Sequence, residues 1–188
     1  MMNYKYKLLI GLGNPGPDYA LTYHNAGSFF IDLLSSGKKF KKTDGFVYSK
    51  IGDVVLIKPL SFMNESGASV KLAIKYFKTT LSETLIIHDD SDLSMGEYKF
   101  ATNRGSAGHN GIKSIMEVCK TSDINRLRLG IRHNTQEGRL KAGLPRRPLR
   151  QIEVRAKAGD FVLTPMGKKD IAALQGIASN LKRDLLGS

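Results

Sequence analysis

The stretch Tyr4-Lys5-Tyr6-Lys7-Leu8-Leu9-Ile10, followed at once by Gly11-Leu12-Gly13-Asn14-Pro15-Gly16-Pro17-Asp18-Tyr19, decides the fold class. Three adjacent apolar residues bounded by a turn suit a strand with both faces covered. The Gly-, Pro-, Asn- and Asp-rich piece behind them reads as a loop. A lysine-then-apolar start could mimic an export signal, but only Leu8, Leu9, Ile10 and Leu12 supply its apolar part and no small-residue cleavage site follows. A first strand is the better reading, and a cytoplasmic protein is expected.

Outward from this strand, helix and strand patterns alternate. Asn25–Leu34 carries Phe29, Phe30, Leu33 and Leu34 on one helical face, and the polar run Ser35–Asp44 reads as a connection. Gly45–Ile51 and Val54–Ile57 read as strands joined at Gly52-Asp53, a plausible hairpin turn. In Ser66–Phe77, Val70, Ala73, Ile74 and Phe77 recur at helical spacing. Thr84–Ile87 is a strand expected to end at His88-Asp89-Asp90, and Tyr98–Ala101 suits another. A glycine-rich loop, Asn103–Gly111, precedes a short helix with Ile112, Ile115, Met116 and Cys119 on its apolar stripe. Leu127, Leu129 and Ile131 alternate with Arg126, Arg128 and Gly130, the pattern of a strand with one wet face. A C-terminal helix is expected at about 166–187. This order predicts one α/β domain over 1–188, with a central sheet and helices on its faces.

Composition narrows the partners. The 188 residues hold 29 Lys+Arg against 17 Asp+Glu, a net charge of +12, with one cysteine and no tryptophan. One cysteine excludes an intrachain disulfide framework and a thiolate zinc cluster. No apolar stretch approaches the ~20 residues of a membrane span. The charge exceeds the ~2–8 usual for a small solvated domain, and its sign favours a polyanion, nucleic acid first. Arg132–Lys157 holds eight Lys/Arg and two Glu, half of the whole surplus.

Polar clusters follow the apolar segments: Asn14, Tyr23-His24-Asn25, Asn64, His88-Asp89-Asp90 and Gly108-His109-Asn110-Gly111. Ligand sites of α/β sheets gather beyond the carboxyl ends of the strands, so these clusters could converge. His24 could take a proton from water if a carboxylate fixed its tautomer, and Asp89 is the best orienting partner. Read alone, His24 could equally be a helix-start or surface residue, and Asp89 a cap. Asn14, Asn64 and Asn110 could donate to a developing oxyanion or hold a carbonyl, or simply form turns. Gly11-x-Gly13 lacks the third glycine of a dinucleotide fingerprint, and no Gly-Lys-Ser/Thr follows the glycine-rich loop. His88, Asp89, Asp90 and Asp92 could hold a divalent ion, but their spacing matches neither an EF-hand nor a zinc motif. Cys119 suits the core better than a nucleophile's place.

Five separated motifs together resemble the bacterial-type peptidyl-tRNA hydrolase family. They are Leu9-Ile10-Gly11-Leu12-Gly13-Asn14-Pro15-Gly16-Pro17-Asp18-Tyr19 running on to Thr22-Tyr23-His24-Asn25-Ala26-Gly27; Lys58-Pro59-Leu60-Ser61-Phe62-Met63-Asn64-Glu65-Ser66-Gly67; His88-Asp89-Asp90 with Asp92-Leu93; Gly105-Ser106-Ala107-Gly108-His109-Asn110-Gly111; and Arg126-Leu127-Arg128-Leu129-Gly130-Ile131. They stand in family order at near-family spacing, and the likeness weakens between about His133 and Asp160.

The resemblance implies a single α/β domain around a mixed central β-sheet flanked by helices on both faces, active as a monomer without cofactor or metal. It implies hydrolysis of the ester between a peptide and the terminal ribose of tRNA. His24 would be the base, Asp89 its orienting partner and Asn14 a further catalytic group. Tyr19, Met63, Asn64, His109 and Asn110 would line the substrate site. Lys99, Arg104 and Arg128 are the expected phosphate contacts to the acceptor stem, with the terminal adenosine held in the site. The sequence departs from the family's common pattern at Tyr23, where lysine or arginine is usual, and in a glycine-rich loop one glycine shorter. A non-catalytic RNA-binding relative of the same fold is the alternative, and the intact His24, Asp89 and asparagines argue against it.

Overall fold

A computed structural model of the protein describes residues 6–133 and 161–187. The seven strands are β1 (Leu8–Gly11), β2 (Lys41–Lys42), β3 (Phe46–Ile51), β4 (Val54–Pro59), β5 (Thr84–Ser94), β6 (Tyr98–Ala101) and β7 (Asn125–Arg132). The α-helices among the described residues are α1 (Ala26–Ser35), α2 (Ser66–Tyr76), α3 (Asn110–Cys119) and α4 (Lys168–Leu186). The sheet order is β2-β3-β4-β1-β5-β7-β6. The inner strands β4, β1, β5 and β7 are parallel, and β2, β3 and β6 pair antiparallel at the flanks. This is the expected mixed sheet.

Strand periodicity sorts the core into two layers. From β1, Leu9 faces the cluster that contains Phe30 and Leu34 of α1 and Leu174 and Leu181 of α4. Its neighbours Leu8 and Ile10 face Val70 and Ala73 of α2 and Ile112 and Ile115 of α3. Three consecutive apolar residues are needed because both faces of β1 are covered. Phe30 is fully buried, so truncating it to alanine should cost about 3–5 kcal/mol.

Two glycines set how closely α1 lies on the sheet. A Cβ on Gly27 would sit 2.2 Å from the Ile87 carbonyl oxygen, and one on Gly11 would sit 2.2 Å from the Gly27 carbonyl oxygen. Both are backbone contacts, so no side-chain shift could relieve them. This approach brings the turn before α1 down beside the end of β5.

Several elements differ from the sequence-based expectation. β5 runs through the acidic cluster to Ser94 instead of ending before it, because β7 continues to pair with it up to Asp90 and again at Ser94. Lys41-Lys42 forms a short edge strand on β3, a pairing that no local signal in that polar run announces. The face of β7 expected to be wet is covered: Arg126 is 3% exposed with its guanidinium on the carbonyl oxygens of Arg104 and Gly105, and Arg128 is paired with Asp90. Phe161 and Val162 are buried in a turn. Most of the basic segment expected at 133–158 lies outside the described residues.

Candidate active site

His24 lies in a 3-10 turn, Tyr23–Asn25, between β1 and α1. Asp89 projects from β5, the strand beside β1. Their meeting falls at the carboxyl ends of neighbouring parallel strands, the usual place for a ligand crevice in such a sheet. His24 Nδ1 is 2.9 Å from Asp89 Oδ1. An ionised carboxylate can only accept, so Nδ1 carries the proton and the lone pair of Nε2 is left for other work.

Asp89 Oδ1 also accepts from His109 Nε2 at 2.9 Å. His109 is the N-cap of α3, and its Nδ1 accepts from the backbone N–H groups of Gly111 (3.1 Å) and Ile112 (3.3 Å). Accepting on one nitrogen fixes the proton on the other, so the helix start dictates the tautomer that reaches Asp89. The neighbouring His88 is buried, donates from Nδ1 to the Asp89 carbonyl oxygen at 2.7 Å, and packs edge-on against the His109 ring with centroids 4.7 Å apart.

The electrostatics follow from these bonds. Burial alone would raise the Asp89 carboxyl, but His109 and His24 outweigh it and hold the group well below the usual carboxylate range. For His24, burial favours the neutral ring, yet the charge and hydrogen bond of Asp89 prevail and raise its pKa above the ordinary imidazole value. Burial, and then His109, push His88 well below it, so that ring stays neutral.

His24, Asp89, Asp90, His109, Asn110 and Val162 line one cleft. Asn14 and Met63 form a second group, outside that lining. The Met63 N–H donates to Asn14 Oδ1 at 2.8 Å. This orients the Asn14 amide with its oxygen inward and its NH2 as the group left to donate. Asn25 clamps the Asn14 backbone from both sides: Oδ1 accepts from Asn14 N at 2.8 Å, and Nδ2 donates to Asn14 O at 2.9 Å. Met63 packs beside Gly111, where a Cβ would meet its sulfur at 2.5 Å, and so links this group to the start of α3. Asn64 and Asn110 are exposed. Tyr19 sits edge-on to Phe62 (6.3 Å), a ring that is half exposed.

The expected phosphate contacts divide. Lys99 on β6 and Arg104 in the loop after it are exposed. Arg128 is instead committed: its Nε donates to Asp90 Oδ2 at 2.5 Å, and its side chain is 13% exposed. The β5–β7 register sets Arg128 opposite His88, with Asp90 two residues further along the same face of β5 and within the side chain's reach. Arg126 donates to the carbonyl oxygens of Arg104 (2.7 Å) and Gly105 (3.0 Å), so it anchors the glycine-rich loop from within.

His24, Asp89 and His109 bring three ligand-type atoms within 4.8 Å of one another. The two imidazole N–H groups already converge on Asp89, and His109 Nδ1 is occupied by the helix start. The hydrogen bonds alone account for the cluster, and an ion there would have to displace them. The positioning residues Asn25, His88 and Arg126 escaped the sequence reading as site residues. Asn25, adjacent to His24 in the same motif, was the one within reach.

Fold and site together define an α/β protein whose strand-end cleft holds a histidine hydrogen-bonded to a buried carboxylate. The profile of the peptidyl-tRNA hydrolase family matches residues 8–185. The peptidyl-tRNA hydrolase of Coxiella burnetii is 41% identical over 182 residues, covering 94% of this chain and 87% of its own. That of Mycoplasma capricolum is 45% identical over 132 residues, 66% of this chain and 71% of its own. Among solved structures, the Arg119Gln mutant of Acinetobacter baumannii peptidyl-tRNA hydrolase superposes with a TM-score of 0.76 at 28% identity, covering 99% of this chain and 90% of that one. The chain belongs to the peptidyl-tRNA hydrolase family.

Proposed function

We propose that the protein hydrolyses peptidyl-tRNA at the ester between the peptide and the terminal ribose, releasing free tRNA. Family membership supports the activity. The observation that carries the mechanism is the His24–Asp89 pair at 2.9 Å, with Nε2 left as the acceptor in a cleft. His24 Nε2 takes a proton from water as the water oxygen attacks the ester carbonyl carbon. Asp89 stabilises the imidazolium that forms. The Asn14 NH2 group donates to the carbonyl oxygen as it gains negative charge. When the tetrahedral intermediate collapses, the ester C–O bond breaks and the ribose oxygen leaves with the proton returned by His24. Water is the nucleophile, and an ester has a good enough leaving group for a histidine–carboxylate pair to suffice.

His109 and Asn110 line the cleft, with Met63, Asn64 and Tyr19 as the further substrate contacts. Lys99 and Arg104 grip acceptor-stem phosphates, contacts that position RNA without reading sequence and suit an enzyme accepting many tRNAs. Arg128 acts mainly through its pair with Asp90. One chain supplies all these residues, consistent with a monomer working in the cytoplasm. No helix among the described residues is long and apolar enough to cross a membrane.

The test is hydrolysis of a defined peptidyl-tRNA by the protein and by H24A. The parent should turn over and H24A should lose roughly 10²-fold or more of kcat/KM. Parental activity in H24A would remove His24 from the reaction.

A further inference from the structure

The residue before His24 is polar at its tip and buried throughout. Tyr23 is 1% exposed. Its ring packs against Phe161 and His133, with centroids 4.9 and 5.6 Å away. Its hydroxyl donates to Asp170 Oδ2 at 2.7 Å and lies 2.8 Å from His133 Nε2. With the hydroxyl proton directed at the carboxylate, the imidazole N–H donates to the phenol oxygen. The same Asp170 Oδ2 accepts from the Gly167 N–H at 2.9 Å, capping α4. One phenol thus ties the His24 turn to the first turn of α4 and to the residue that follows β7.

Three backbone bonds join this turn and its flank to one neighbouring stretch. Met166 N donates to Leu21 O (2.8 Å), Tyr23 N to Thr164 O (3.2 Å) and His24 N to Val162 O (2.7 Å). All three lead to the short irregular stretch 162–166. The His24 turn and that stretch could therefore shift together without breaking one of these bonds. The Tyr23 hydroxyl adds a tie to the first turn of α4, beside the His24–Asp89 and Asn25–Asn14 bonds that hold the turn from the other side. Burial, then the hydrogen bond and charge of Asp170, raise the phenol's pKa, so it remains a donor at every working pH.

We propose that Tyr23 is a positioning residue for the hydrolytic reaction, its hydroxyl, shared by Asp170 and His133, fixing the turn that aims His24 into the cleft. This rests on the reading of His24 as the base. A base misplaced by a fraction of an ångström costs turnover more than binding, because proton transfer depends on near-contact geometry and RNA grip does not.

The experiment compares the parent, Y23F, D170N, the double variant, H133Q, H133L and H24A on one peptidyl-tRNA. It measures kcat, KM, the pH profile of kcat/KM and Tm. Y23F should lose roughly tenfold in kcat with KM within about twofold. Its acid limb should move to lower pH, because looser contact with Asp89 removes what raises the His24 pKa. D170N should behave alike, and the double variant should be little worse than either, as expected for one shared device. H133Q keeps a donor and should stay near the parent, whereas H133L should fall with Y23F. If Y23F does not fold, D170N and H133L make the same test from the other two sides. Variants that lower Tm yet leave kcat and the acid limb unchanged would overturn the inference and make the tie purely structural. Parental activity in H24A would instead overturn the base assignment, so the two failures read differently.

Discussion

Around Asp89, the imidazoles of His24 and His109 point N–H groups at one buried oxygen, and a helix start fixes the tautomer of the second ring. Along β6 and the loop beyond it, Lys99 and Arg104 reach into solvent. The contrast fits the two tasks proposed for these regions. Proton transfer needs atoms held to a fraction of an ångström in a poorly solvated place, where charge–charge effects are strong. Phosphate contacts act over a Debye length of about 8 Å at physiological salt and tolerate mobile side chains. Arg126 belongs to the second region but is buried, with its hydrogen bonds directed to the loop that carries Arg104.

The strongest way to break this contrast is D89N. It removes the charge that orients His24 and raises its pKa, so kcat/KM should fall by roughly 10²–10⁴-fold with little change in KM. In the parent, kcat/KM should fall as pH drops through the raised His24 pKa, because the protonated ring cannot accept a proton. In D89N the acid limb of the residual activity should lie lower. Near-parental turnover by D89N would reduce the Asp89 hub to a structural feature.

R126M comes next. It leaves the Arg104 and Gly105 carbonyl oxygens without their buried donor, and should lower stability by about 2–3 kcal/mol in urea unfolding. KM should rise more than kcat falls, because the loop it frees carries the rim and not the base. A fall in kcat alone would mean that Arg126 serves the hub.

A smaller effect is expected at the rim itself. K99A and R104A should each raise KM a few-fold and leave kcat unchanged. The dependence of log(kcat/KM) on log salt should flatten by about 1 for each lost phosphate contact. An unchanged slope would show that these cations do not grip phosphate. R128A should differ from both, since it strands Asp90 and so costs stability as well.

The smallest effect is on stability against pH. The folded His24 pKa is raised above its unfolded value of about 6.5. Its contribution is full below that value and fades as pH rises through the folded one. The Asp89 pKa is lowered, so its contribution is present above about 3.9 and is lost as pH falls through the folded value. Chemical unfolding of H24A should lack the alkaline-side loss.

Much of the frame was legible because period and turn chemistry are local. The β3–β4 hairpin pairs Ile51 with Val54 across Gly52-Asp53, as its turn predicts, and α2 follows its apolar spacing. The candidate base and its partner were legible through the family motifs around them, since a lone histidine before a helix or an aspartate near a strand end has several ordinary uses. What was not legible depended on neighbours far along the chain. Alternation assigned Arg126 to a wet face, but in the fold its guanidinium is buried against the Arg104 and Gly105 carbonyl oxygens of the glycine-rich loop. Nothing in the C-terminal helical pattern marks Asp170, which gains its role only where Tyr23, 147 residues earlier in the chain, meets it.

By itself, then, the sequence determined the layer order, the family and the chemical identity of the site's groups, since these rest on local pattern and residue type. Tertiary structure alone decided which lone pair is left on each imidazole, which way the Asn14 amide faces and which arginines are spent inside. A donor or acceptor is committed only when folding brings its partner within about 3 Å, and these partners lie on separate elements.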